Sequence, residues 1–123
     1  MSLIVREGAA TPLDFSLTYR DESGQEQPYP IGDQRVVVVF VDKNENVRKI
    51  YDSAREHTRM VIEPDSRTGV VRIFPKDENI RAAWSPYKVF IWVGQASGWA
   101  HSFPADGEFE VTVLPAYGTE KII

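Results

Sequence analysis

Apolar and polar residues alternate in short runs along most of this chain. Leu13, Phe15, Leu17 and Tyr19 alternate with Asp14, Ser16 and Thr18. A period of two predicts a strand with one buried face and one wet face. The run ends in Asp21-Glu22-Ser23-Gly24, a polar turn whose glycine accepts positive φ. Arg35 to Val41 is continuous and β-branched, and predicts a central strand covered on both faces. Asp42-Lys43-Asn44-Glu45-Asn46 then makes a tight polar connection to Val47-Arg48-Lys49-Ile50-Tyr51, which predicts a hairpin.

Further along, Asp52 to Thr58 is polar and poor in strand formers. Arg59 to Ile62 reads as a short strand closed by Pro64, which cannot donate to a ladder. Thr68-Gly69 turns the chain into Val70 to Phe74. Pro75 to Ala83 is weakly helical, with proline first and Asp77 and Glu78 after it, and predicts a short helical turn near 76–83. Tyr87 to Gly94 and Trp99 to Phe103 form a closing hairpin. A Phe103-Pro104-Ala105-Asp106-Gly107 corner then leads into a last strand, where Phe109, Val111 and Val113 seal the core. About eight short strands with frequent turns predict an all-β sandwich or barrel. No repeat or linker divides the chain, so one domain spans 1–123, with its core in 3–114 and a tail over 115–123. Met1, Ser2 and Leu3 are set aside and carry no predicted element.

Composition narrows the function. At 123 residues with 42% hydrophobic and 26% charged side chains, the chain is an ordinary globular domain that needs no staple. It has no cysteine, which removes disulfides, thiolate metal sites and cysteine nucleophiles. A net charge of -4, with 14 Lys and Arg scattered along the chain, argues against nucleic acid. The apolar run Val36 to Val41 is far too short to span a bilayer, and no charged-then-apolar leader opens the chain.

Candidate chemistry is thin. The two histidines, His57 and His101, stand in no triad or zinc spacing. Asp42 to Asn46 starts like a calcium loop, but the glycine and glutamate positions hold Val47 and Ser53. No catalytic residue, metal ligand or cofactor site is assigned. The aromatics remain. Phe90 and Trp92 share one face of a strand and read as core or interface packing. Trp84 and Trp99 are the candidates for an exposed aromatic platform of the kind that stacks sugars, Trp99 above all because it follows a turn glycine.

Several features occur in a recognisable order. They are Thr11-Pro12-Leu13-Asp14-Phe15 leading into an Asp-x-x-Gly turn, Glu63-Pro64-Asp65-Ser66-Arg67-Thr68-Gly69-Val70-Val71, the Tyr87-Lys88-Val89-Phe90 hairpin, Phe103-Pro104-Ala105-Asp106-Gly107, and Phe109-Glu110-Val111-Thr112-Val113. In this the chain resembles the immunoglobulin-like N-terminal domain of phage baseplate upper proteins, over about residues 3 to 114. Gln27 to Gly32 departs from that pattern, which has a shorter lead there. The resemblance implies an immunoglobulin-like antiparallel β-sandwich. It also implies a non-enzymatic part of a phage or prophage tail or baseplate. The expected partners are other tail proteins and further copies of the chain, with no nucleic acid and no membrane. The expected location is the virion, or the bacterial cytoplasm before assembly. A carbohydrate-binding module is the alternative.

Overall fold

The computed structural model describes residues 2–7, 12–32, 34–54, 60–62, 69–74, 81–94, 100–103 and 109–115; for 60–62, 100 and 101 it describes the backbone. Among these residues lie eleven strands: β1 (Ser2–Arg6), β2 (Leu13–Ser16), β3 (Thr18–Arg20), β4 (Glu26–Pro28), β5 (Arg35–Val41), β6 (Val47–Asp52), β7 (Met60–Ile62), β8 (Val70–Ile73), β9 (Tyr87–Gly94), β10 (Ala100–Phe103) and β11 (Phe109–Leu114). A 3-10 turn spans Ala82–Trp84, and residues 76–80 of the helical turn expected near 76–83 lie outside the described residues.

The strands form a large sheet ordered β1-β11-β9-β5-β6, with β10 also on β9, and a small sheet ordered β2-β8-β7. β3 and β4 pair as a separate two-stranded arm. Within the large sheet, β1 runs parallel to β11 and the other pairs are antiparallel. The inner faces meet in one core. Leu13, Phe15, Val71 and Ile73 of the small sheet pack with Val36, Val38, Phe40, Tyr87, Val89, Ile91 and Val93 of the large one. Phe15 lies 5.4 Å from Phe109 and 6.4 Å from Phe40, ring to ring. These rings tie the two sheets together. This is an immunoglobulin-like β-sandwich.

A buried tyrosine supports that assignment. Tyr87, at the start of β9, accepts a hydrogen bond from the Arg81 amide at 3.0 Å through its hydroxyl, reaching back six residues. A tyrosine that anchors the preceding corner in this way is a mark of such sandwiches. The same corner is tied to three other elements. The Ala82 amide donates to Glu7 Oε2 at 2.6 Å, the Val113 amide to Ser85 Oγ at 2.8 Å, and the Lys43 amide to the Trp84 carbonyl at 3.2 Å.

The pattern of the sequence is met closely on the inner faces and less closely elsewhere. Eleven strands replace the eight expected, for three reasons. β1 pairs with β11 from Ser2 onwards, although Met1 to Leu3 suggested no element. The run Leu13 to Tyr19 is split at Leu17, where the chain leaves the small sheet. There the Leu17 amide donates to the Gly69 carbonyl and the Leu17 carbonyl accepts from Tyr29, both at 2.8 Å. Tyr19 therefore follows the arm and is 44% exposed, while Leu13, Phe15 and Leu17 are buried as expected. Finally, Glu26–Pro28 forms β4 by pairing with β3.

The predicted corner before the last strand lies, from Pro104 to Gly107, outside the described residues, and its two flanks are described. Phe103 faces Ile91 and Phe109 faces Val89, so β10 and β11 lie along one edge of β9. The chain keeps the same neighbour on either side of residues 104–108, which fall outside the described residues. Phe109, Val111 and Val113 are buried, as the alternation requires.

Candidate interaction surface

Alternation in β9 sends Tyr87, Val89, Ile91 and Val93 inward, so Lys88, Phe90 and Trp92 face out. β5 does the same, with Val36, Val38 and Phe40 inward and Val37, Val39 and Val41 outward. The register joins these outward rows. Val37 stands across from Trp92, Val39 from Phe90 and Val41 from Lys88. On the other side of β5, Val39 stands across from Ile50 and Val41 from Val47. The result is a continuous apolar patch across β9, β5 and β6. Val37, Val39, Val41 and Phe90 are half-buried in it, while Trp92 is 46%, Ile50 49% and Val47 57% exposed. The expectation that β5 is covered on both faces is thus corrected, and of the core or interface packing expected for Phe90 and Trp92 the core part is corrected too. Both faces are apolar, but only the inner one is closed.

Charged groups frame this patch. Arg35 and Asp52 form a bidentate ion pair at one end, with Arg35 Nε 3.0 Å from Asp52 Oδ1. At the other end Lys88 stands directly across from Glu110. Asp52 stands directly across from Val37, so the Arg35–Asp52 pair borders the Trp92 end of the patch.

The small sheet presents a different outer face. Asp14 and Ser16 alternate with buried Leu13 and Phe15, and Arg72 stands across from Asp14. Arg72 Nε donates to Asp14 Oδ1 at 2.7 Å and its Nη2 to Oδ2 at 3.1 Å. The hydrogen bond from Arg72 holds the Asp14 carboxyl below the usual carboxylate range.

Trp84, one of the two aromatic candidates, is half-buried against the core, with the Arg48 guanidinium 4.1 Å above its ring. Arg48 is fixed in turn by Asp42, whose Oδ2 accepts from its Nε at 2.6 Å. One face of the indole is thereby covered by a cation. Trp99 and His57 lie outside the described residues, and His101 is placed only as backbone, in β10.

The run that resembles a calcium loop is a hairpin turn. Asp42 Oδ1 accepts from the amides of Asn44 at 2.8 Å and Asn46 at 2.9 Å. The bond from Asn46, followed by those from Arg48 and Asn44, holds the buried Asp42 carboxyl low. Among the described residues no group of three or more His, Cys, Asp or Glu side chains converges to hold a metal ion. Nor is any helix there long and apolar enough to cross a membrane.

The exposed ring that the sequence reading missed is Trp92. Its signal is in the sequence: Tyr87, Val89, Ile91 and Val93 already fill one face of the strand, which leaves Phe90 and Trp92 for the other. Comparison with protein-family models and with curated proteins finds no match.

Proposed function

We propose that this chain is a non-enzymatic assembly protein of a phage or prophage tail or baseplate, acting through protein–protein contact. The observation that carries the assembly reading is the outer face of the large sheet. An apolar patch that carries an exposed tryptophan, with charged pairs at its ends, is the layout of a protein interface. The tail setting rests on the order of motifs that resembles baseplate upper proteins. In that setting the chain works in the virion and waits in the bacterial cytoplasm before assembly. Its partners are other tail proteins, and it uses no cofactor.

The test uses the purified full chain and the structural tail proteins encoded beside its gene. Co-elution with one of them, lost on Trp92→Lys, is the expected result. Absence of any complex, together with quenching of tryptophan fluorescence by a soluble glycan, would replace this reading with a carbohydrate-binding module.

A further inference from the structure

The outer face of the large sheet fits a second copy of itself, and we infer that the chain pairs there as a symmetric homodimer, large sheet against large sheet. This deepens the assembly reading by naming the surface and its first partner. It rests on that reading and on three further observations.

The first is chemical. Trp92 and Phe90 stand beside Val37, Val39 and Ile50, and the nearest charges by register are Asp52, across from Val37, and its ion-pair partner Arg35. Aromatic residues are enriched, and charges depleted, at the buried centre of protein interfaces. A sugar platform would need fixed hydrogen-bonding groups around the ring. The in-register neighbours of Trp92 are Val37 on one side and Ser102 on the other.

The second is electrostatic. A chain of net charge -4 repels its own copies unless the contact face is spared. This face is spared. Its rim carries Arg35 with Asp52 at one end and Lys88 across from Glu110 at the other. Arg6, at the edge on β1, is the further charge among the described outward positions of β1, β5, β9 and β11. The face is therefore close to neutral, with both signs at each end, and two copies meet without like charges gathering. Acidic residues collect elsewhere, with Glu22 and Glu26 exposed on the β3–β4 arm.

The third is size. The whole outer face of the large sheet, five strands at a spacing of ~4.8 Å and about six residues long, projects on the order of 500 Å², with the apolar patch on β9, β5 and β6 as its larger part. Side chains raise the accessible area above that projection. Two such faces reach the ~1,200 Å² at which specific interfaces begin. That is the low end of the range, so the expected dissociation constant is on the order of micromolar.

Sedimentation equilibrium on the full chain, from about 1 µM to 1 mM to bracket that value, reads this directly. The wild type is expected to pass from monomer to dimer with rising concentration. Trp92→Lys and Ile50→Lys, each tested alone, are expected to raise the dissociation constant about tenfold or more. Ser16→Lys, on the outer face of the small sheet, is expected to leave it unchanged. Thermal melts of all four proteins show that each variant is folded. A strict monomer throughout, or association that both Trp92→Lys and Ile50→Lys retain, overturns the inference. A monomer that still binds a tail protein through Trp92 overturns the homodimer and leaves the assembly reading standing. A dimer that is broken by both lysines but binds no tail protein supports the homodimer and removes the tail partner.

Discussion

The two outer faces of this sandwich have been finished differently. On the small sheet, Asp14 and Arg72 form a bidentate pair beside Ser16, and Val70, across from Ser16, is the one apolar outward side chain of β2 and β8 among the described residues. On the large sheet, the equivalent positions hold valines, Phe90, Trp92 and Ile50. Both inner faces are equally closed, since Leu13, Phe15, Val71 and Ile73 are as buried as Val36, Val38, Ile91 and Val93. The difference therefore does nothing for the core. It separates what the fold requires, which is one apolar face per sheet, from what is added on top of it. The broad apolar outer face of the large sheet is surplus to folding, and a protein contact is the use proposed for it.

The comparison can be broken from its strongest point downwards. Phe15 joins both sheets through Phe40 and Phe109, so Phe15→Ala is expected to cost about 3–5 kcal/mol in chemical denaturation. A cost below about 1 kcal/mol would mean that the sheets are not closed on each other. Gly69 comes next. It sits at φ +62°, and an added Cβ would lie 2.5 Å from the Leu17 carbonyl oxygen and 3.0 Å from the Tyr29 nitrogen. Both neighbours are backbone atoms, so they yield only if the arm shifts. Gly69→Ala is expected to cost more than about 2 kcal/mol in the same experiment. A neutral result would show that β2 does not leave the small sheet as described.

The smallest effect belongs to the polar face. Replacing Asp14 by Asn is expected to cost less than about 1 kcal/mol at neutral pH, because the pair is largely exposed. Its sign with pH follows from the lowered carboxyl. The native state binds that proton more weakly than the unfolded chain, so the contribution is complete above the unfolded value near 3.8. It is lost as pH falls through the lower native value. Denaturation midpoints of Asp14→Asn and wild type should therefore converge in acid and separate above about pH 4. Curves that converge at neutral pH instead would contradict the pairing.

How much of this was legible in the sequence depends on where each element finds its partner. The inner strands were legible because alternation in Leu13 to Leu17 and Tyr87 to Val93 encodes burial locally. β4 was not, because Glu26-Gln27-Pro28 contains no strand former and is held in a ladder only by β3. β1 was not, because Leu3 and Val5 are only half-buried and their partner strand begins at Phe109. The split at Leu17 depends on Gly69 and Tyr29, which no local pattern connects. The interaction surface was legible in part. The sequence placed Phe90 and Trp92 on one face of their strand. Which face was inner was marked only weakly, by Lys88 set against four apolar odd positions from Tyr87 to Val93, since Phe90 and Trp92 are apolar too. The register with β5 and β6 resolves it.

Everything distinctive in this account turns on whether Trp92 meets another protein. A variant with Trp84→Phe and Trp99→Phe leaves it as the sole tryptophan. Acrylamide quenching of its fluorescence can then be followed as protein concentration rises. The account predicts ready quenching in dilute solution, then a falling quenching constant and a blue-shifted emission as the faces close. Quenching and emission that stay constant to the highest concentration, with the variant folded, would contradict it.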